Sequence, residues 1–209
     1  MASAGSLPPE QSPSSQFDPG VTTPSDEPCP FCVIAKTYPA FDPTEPPHQS
    51  APSLNPEATS PAPATFVVLS TPLLVAFLDI LPLSTGHLLL CPRSHRPKLT
   101  DVSATESEAL GYYLRILSKA VTKVTGVVDW NVVQNNGAAA AQVVHHMHFH
   151  VIPRPELNVR NGGKGRERFT STMFGRGMRE ELDEEEASLL AQKIREAVAE
   201  LLREEKPRL

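Results

Sequence analysis

His146-Met147-His148-Phe149-His150-Val151-Ile152 places three histidines at alternate positions with apolar residues between them. In an extended strand, successive side chains point to opposite faces. His146, His148 and His150 therefore share one face, and Met147, Phe149 and Val151 share the other. One face can carry chemistry while the other packs. An exposed strand face is normally filled with Thr, Lys and Glu, and strand propensity gives no reason for three imidazoles in a row, so the pattern reads as a site. Spacing alone leaves two chemistries open. The imidazoles could ligate a metal, or one could be a nucleophile steadied by the others.

Working outward, Trp130 to Gln134 reads as the strand before the histidine strand. The two are joined by Asn135-Asn136-Gly137-Ala138-Ala139-Ala140-Ala141-Gln142, a connection of small and polar residues. Further upstream, Ser103-Ala104-Thr105-Glu106 is a capping-box signature. Leu110, Leu114, Leu117, Val121 and Val124 then recur at helical spacing until Gly126 supplies a stop. Before that helix, Phe66 to Leu69, Leu73 to Leu78 and His87 to Cys91 are short apolar runs broken by Ser70-Thr71-Pro72 and Ser84-Thr85-Gly86. They lie too close together for crossover helices and must pair antiparallel. A last helix starts near Asp183, with Leu190, Ile194, Ala197 and Leu201 on one face and acidic residues in its first turn. The sum is an α+β domain: an antiparallel sheet of about five strands, a long helix packed on it and a C-terminal helix.

The rest of the chain is different in composition. Fifteen of the 22 prolines fall in residues 1–65 and no Lys or Arg precedes Lys36, so residues 1–27 are expected to be a disordered Ser/Pro-rich tail. The domain is expected over 28–155, with a Pro-rich surface insertion over about 38–64. A basic loop and the final helix fill 156–209. The net charge of −5 argues against a general nucleic-acid binder, which relies on Lys and Arg to neutralise phosphates. No apolar run approaches the ~20 residues that span a bilayer, and no signal-peptide core is present, so no membrane partner is expected. Three cysteines, Cys29, Cys32 and Cys91, are too few for a disulfide framework and suggest a reducing compartment, cytoplasmic or nuclear. Cys29-x-x-Cys32 with two histidines could complete a tetrahedral zinc site, or be two buried reduced thiols.

The histidine stretch resembles the histidine-triad (HIT) signature His-φ-His-φ-His-φ-φ, φ being apolar, and the likeness extends upstream. Asn135 to Gln142 resembles the Asn-x-Gly…Gln segment before the triad, Phe77-x-Asp79-Ile80 the strand end that meets the nucleoside, and Gly86-His87 the entry to the next strand. Cys29-x-Phe31-Cys32 resembles the zinc-bearing, Hint-like members of the superfamily. The resemblance implies a nucleotidyl hydrolase or transferase acting at the α-phosphate of a purine nucleotide derivative. By that carry-over His148 attacks phosphorus and forms a nucleotidyl-histidine, and the backbone of His146 orients its ring. His150, His87 and Gln142 surround the phosphate with Asn135 nearby, Asp79 meets the ribose, and Phe31, Ile34, Phe77 and Ile80 form the base pocket. It also implies a structural zinc held by Cys29, Cys32, His95 and His146, and a homodimer. The expected substrate is a nucleoside 5′-phosphoramidate or related AMP derivative. The alternatives are a dinucleoside polyphosphate hydrolase or adenylylsulfate-cleaving enzyme, and a non-catalytic nucleotide-binding adaptor. Three features depart from the family pattern. Val143 stands where many relatives carry Ser or Thr, Ala140-Ala141 replaces a Gly-containing pair, and the tail carries Arg160, Lys164, Arg166, Arg168, Arg176 and Arg179, read as a solvated basic loop.

Overall fold

The computed structural model describes residues 28–155 and 183–205. The Ser/Pro-rich tail of 1–27 and the basic loop with its six cations lie outside the described residues. Five strands form one antiparallel sheet: β1 (Val67–Ser70), β2 (Leu74–Leu78), β3 (Leu88–Pro92), β4 (Trp130–Gln134) and β5 (Phe149–Pro153), in spatial order β1-β2-β3-β5-β4. The histidine strand is thus internal, paired with β3 through Leu89↔His150 and with β4 through Val133↔His150. Strand alternation assigns the two faces as expected. Met147 and Val151 enter the core beneath helices α2 (Ala104–Thr125) and α3 (Glu184–Glu205), and Phe149 packs against it. The opposite face carries a second cluster built from Phe31, Ile34, Val75, Phe77 and Leu89 under the short helix α1 (Pro30–Thr37).

Each helix boundary has a local cause. Ser103 Oγ accepts from the Glu106 N–H and Glu106 Oε2 accepts from the Ser103 N–H, closing the capping box of α2, and Gly126 ends it in the left-handed region at φ 71°. In α3 the buried stripe is Ala187, Ala191, Ile194, Val198 and Leu202. Of the face expected to be apolar, Ile194 and Ala197 are buried in the core, and Leu190 and Leu201 pack along its margin. The acidic first turn Glu184–Glu186 suits the helix dipole. Pro30 stands in the first turn of α1, where its missing N–H costs nothing.

Two expectations need correction. The strand read over His146–Ile152 begins only at Phe149. Met147 N–H donates to Arg96 O instead of entering the ladder, so His146 and His148 lie on an irregular lead-in segment that bends at 144–146. The Pro-rich insertion is not merely a surface excursion. Tyr38 is almost fully buried, and its hydroxyl lies within hydrogen-bond distance of the carbonyls of Asn55, Pro56 and Thr65, while Leu54 joins the second core cluster. Arg93 locks this layer down. Its guanidinium donates to Thr71 O at 2.6 Å, to Tyr38 O at 2.7 Å, and also to Ala35 O and Ser70 Oγ. A helix end, the insertion and the β1–β2 turn therefore share one cation.

Candidate active site and metal centre

The site is built where β5, β3 and α1 meet. Gly86 turns the chain into β3 at φ +85°, and a Cβ there would come within 2.8 Å of Thr125 Cγ2. The next residue, His87, is delivered beneath the sheet fully buried, with Nε2 2.9 Å from His150 Nδ1. On its other edge, His87 Nδ1 lies 3.3 Å from Asp79 Oδ2 and 3.2 Å from the Leu83 N–H nitrogen.

The three histidines of the signature enter three environments. His146 is wholly buried. Its Nε2 lies 2.8 Å from Pro92 O, so the proton sits on Nε2 and the Nδ1 lone pair faces the sulfurs of Cys29 and Cys32, each at 3.5 Å. His148 has the reverse arrangement. Its Nδ1 lies 2.6 Å from the carbonyl of His146 and donates there, which leaves the lone pair on Nε2. His150 packs at 4.8 Å from His148, ring centre to ring centre. Burial lowers the proton affinity of both His146 and His148 below the ordinary histidine value, so both are neutral near pH 7. Phe31 of α1 lies edge-on to Phe77 at 5.3 Å and to His148 at 5.1 Å, joining the apolar cluster to the reactive ring.

Cys29, Cys32, His95 and His146 bring one ligand atom each within 4.8 Å of one another, and Cys32 Sγ lies 3.4 Å from His95 Nδ1. Two ligands on a tetrahedral zinc, at bond lengths of ~2.3 Å to sulfur and ~2.05 Å to nitrogen, stand about 3.6 Å apart. The observed sulfur–nitrogen distances fit that spacing. Burial, and then the neighbouring Cys29, push the Cys32 thiol up to about 11, so two thiolates in this position call for a cation. The Pro92 carbonyl behind His146 is the outer partner that a metal-ligating imidazole needs.

The connection 135–144 is a folded scaffold. Gln142, expected at the phosphate, is 3% exposed with its amide committed within the loop: Oε1 accepts from the Gly137 N–H and Nε2 donates to Pro97 O. Asn135 donates to Ala141 O and Asn136 accepts from the Leu99 N–H. Gln142 and Asn135 thus position the loop. Ala141 adopts φ 61°, the left-handed region that favours glycine, where the sequence has replaced a Gly-containing pair. Val143 is 70% exposed beside this loop, so no hydroxyl is offered there.

Of the residues expected at the site, Phe31, Ile34, Phe77 and Asp79 are buried on the α1 face, whereas Ile80 stands exposed beyond the end of β2. Sequence reasoning missed the Pro92 carbonyl, the Leu83 amide and Arg93. The first two are main-chain groups, which no side-chain pattern announces. Arg93 stands next to a strand end without any distinguishing neighbour.

These features define a class: an open antiparallel α+β domain whose internal strand and the segment leading into it carry three histidines at alternate positions, beside a Cys/His cluster able to hold a metal. Residues 61–157 match the family model of the HIT domain, and this part of the chain is a HIT domain. It is similar to the adenosine 5′-monophosphoramidase of Schizosaccharomyces pombe, 46% identical over 85 residues, covering 41% of this chain and 61% of that protein. It is also similar to an adenylylsulfatase of Arabidopsis thaliana, 42% identical over 82 residues, covering 39% of this chain and 42% of that protein. The matched segment therefore spans roughly half the length of these relatives. Among solved structures, a Zn-bound histidine triad family protein from Mycobacterium smegmatis superposes with a TM-score of 0.54 at 25% identity, covering 85% of this chain and 97% of that one.

Proposed function

We propose that the protein hydrolyses purine nucleoside 5′-phosphoramidates or related adenylyl compounds at the α-phosphate. The observation that carries this reading is the 2.6 Å contact of His148 Nδ1 with the His146 carbonyl, an acceptor only, which puts the proton on Nδ1 and a neutral Nε2 lone pair towards the site. In the first step His148 Nε2 bonds to the α-phosphorus as the bond to the leaving amine breaks, and that amine takes up a proton from solvent. In the second, water attacks phosphorus and gives a proton back to solvent, the phosphorus–nitrogen bond to His148 breaks and AMP leaves. His150 faces the phosphate, backed by the buried His87, Asp79 accepts from the ribose hydroxyls, and Phe31, Ile34, Phe77 and Ile80 flank the base. Gln142 and Asn135 serve by holding the loop that closes over the phosphate. The S. pombe relative supports the phosphoramidate class. The A. thaliana relative favours adenylylsulfate as the second substrate class.

The test is a panel of AMP derivatives bearing amine, sulfate or polyphosphate leaving groups, compared by kcat/KM, with mass spectrometry of base-quenched protein to find the nucleotidyl adduct on His148. Turnover of the amine or sulfate derivative with an adduct at His148 is expected. Binding without turnover or adduct across the panel would leave a nucleotide-binding adaptor.

Zinc held by Cys29, Cys32, His95 and His146 completes the proposal, supported by the sulfur–nitrogen spacing and the Zn-bound structural neighbour. A closed set of two thiolates and two imidazoles gives that ion a structural role, pinning α1 and Phe31 to the lead-in of β5. We also propose a homodimer through β4. This edge strand exposes Trp130 and Val132 on the same face, 44% and 42% accessible, which suits pairing with a second copy. Light scattering at micromolar concentration should give twice the chain mass of 22.7 kDa, and the chain mass alone would remove the dimer. A reducing cytoplasmic or nuclear setting accords with three free cysteines.

A further inference from the structure

We infer that His87 sets the tautomer of His150, so that neighbouring rings present opposite nitrogens to the substrate: His148 a lone pair on Nε2, His150 a proton on Nε2. One group at this site has a role that is not adjustable. A backbone N–H can only donate, and the Leu83 N–H points at His87 Nδ1 from 3.2 Å. With that hydrogen bond made, neutral His87 keeps Nδ1 unprotonated and carries its proton on Nε2. From there it donates across 2.9 Å to His150 Nδ1. His150, receiving at Nδ1, carries its own proton on Nε2, away from His87.

Asp79 extends this logic to the charged state. Its Oδ1 accepts from the Leu81 N–H at 2.9 Å, which leaves Oδ2 3.3 Å from His87 Nδ1. That contact is attractive when Nδ1 is protonated, so Asp79 stabilises the imidazolium form of His87. In that form too, Nε2 of His87 bears a proton and donates to His150. Both charge states of His87 thus impose one tautomer on His150. Asp79 acts here through His87 as a positioning residue, in addition to its place at the ribose.

The opposite polarity, with His150 Nδ1–H donating to His87 Nε2, would put a proton on Nδ1 of the neutral ring; that proton could meet Asp79 Oδ2 at 3.3 Å only by giving up the hydrogen bond from the Leu83 N–H at 3.2 Å. The same three side chains lie within 4.8 Å of one another and could be taken for a two-histidine, one-carboxylate metal set. Their connectivity speaks for a relay. Asp79 meets the Nδ1 edge of His87 and His150 meets the Nε2 edge, so one cation could not replace both contacts. What the His150 proton meets, an α-phosphate oxygen in which charge develops, rests on the nucleotide reading above.

Long-range 15N–1H correlation spectra of the uniformly labelled full chain report which nitrogen of each histidine is protonated. His87→Gln and His150→Gln spectra assign the two rings. The expected result is His150 protonated on Nε2 with an unprotonated Nδ1, and a proton on His87 Nε2. A His150 protonated on Nδ1 overturns the inference whatever the activity. In kinetics, His87→Leu should lower kcat about 10²-fold with KM changed less than about threefold, while His87→Gln, whose amide nitrogen takes the place of Nε2–H, should regain about tenfold of that loss. Equal losses in the two variants would also overturn it, and if the Leu variant does not fold, the wild-type spectrum still decides. Absence of turnover on every adenylyl compound would remove the nucleotide reading and leave the tautomer measurement standing.

Discussion

Two polar clusters flank His148, and they use the same residue type for opposite ends. On one side His95 and His146 join Cys29 and Cys32 with nitrogen–sulfur distances of 3.4 to 3.5 Å, a closed set that binds a distant chain segment to the sheet. On the other, His87 and His150 join Asp79 with no sulfur, through a 2.9 Å nitrogen–nitrogen hydrogen bond whose direction is fixed by a main-chain amide. What separates them is the partner of each second nitrogen. Pro92 O takes the Nε2 proton of His146 and turns Nδ1 into a ligand atom, whereas the His146 carbonyl takes the Nδ1 proton of His148 and turns Nε2 into a nucleophile. Imidazole chemistry in this domain is assigned by carbonyls and amides, one ring at a time.

The contrast can be broken most severely at the ring between the clusters. His148→Ala should lower kcat by at least about 10⁴-fold on an adenylyl amine while AMP still binds, as judged by calorimetry, because it removes the group that splits the displacement into two steps. A variant with near wild-type turnover would end the covalent mechanism. Breaking the metal side should act on stability first. Cys29→Ser with Cys32→Ser should abolish stoichiometric zinc by atomic emission and cost about 4 kcal/mol of folding stability at metal concentrations far above Kd, read as a lower Tm. Unchanged zinc content would remove these thiols from the ligand set.

A pH profile sharpens the distinction. Burial lowers the pKa of His148 below its ordinary value of 6.5, so its neutral, nucleophilic form persists to lower pH. The acid limb of kcat/KM should then have its midpoint below 6.5, and a midpoint above 7 would contradict a buried neutral nucleophile. The smallest effect is expected in the 135–144 loop. Ala141→Gly relieves a left-handed backbone and should raise stability by up to about 1 kcal/mol in urea unfolding, the gain being partly offset by the extra freedom of glycine in the unfolded chain.

Much of this architecture could be read from local patterns. The alternation of His146 to Val151 sorted the residues to the correct faces, although His146 and His148 lie before the strand proper. The capping box at Ser103 and the stop at Gly126 bounded α2 correctly, because both signals act within four residues. The amide of Gln142, a residue expected at the phosphate, holds the Gly137 N–H and the Pro97 carbonyl, partners that no sequence pattern names. The insertion around Tyr38 and Leu54 was expected to lie on the surface because the carbonyls that take the Tyr38 hydroxyl and the cluster that takes Leu54 are distant in sequence.

The sequence by itself determined the class of fold, the alternating faces, the helix limits and the residues that could ligate or attack, all consequences of short-range periodicity and of side-chain chemistry. Only the tertiary structure decided that β5 sits between β3 and β4, that Cys29 and Cys32 reach His146 across more than a hundred residues, and which nitrogen of each histidine is free to act. The reason is physical. Sheet order and ring tautomers depend on main-chain donors and acceptors brought together by folding, and those groups are the same in every residue, so nothing in the order of side chains marks them in advance.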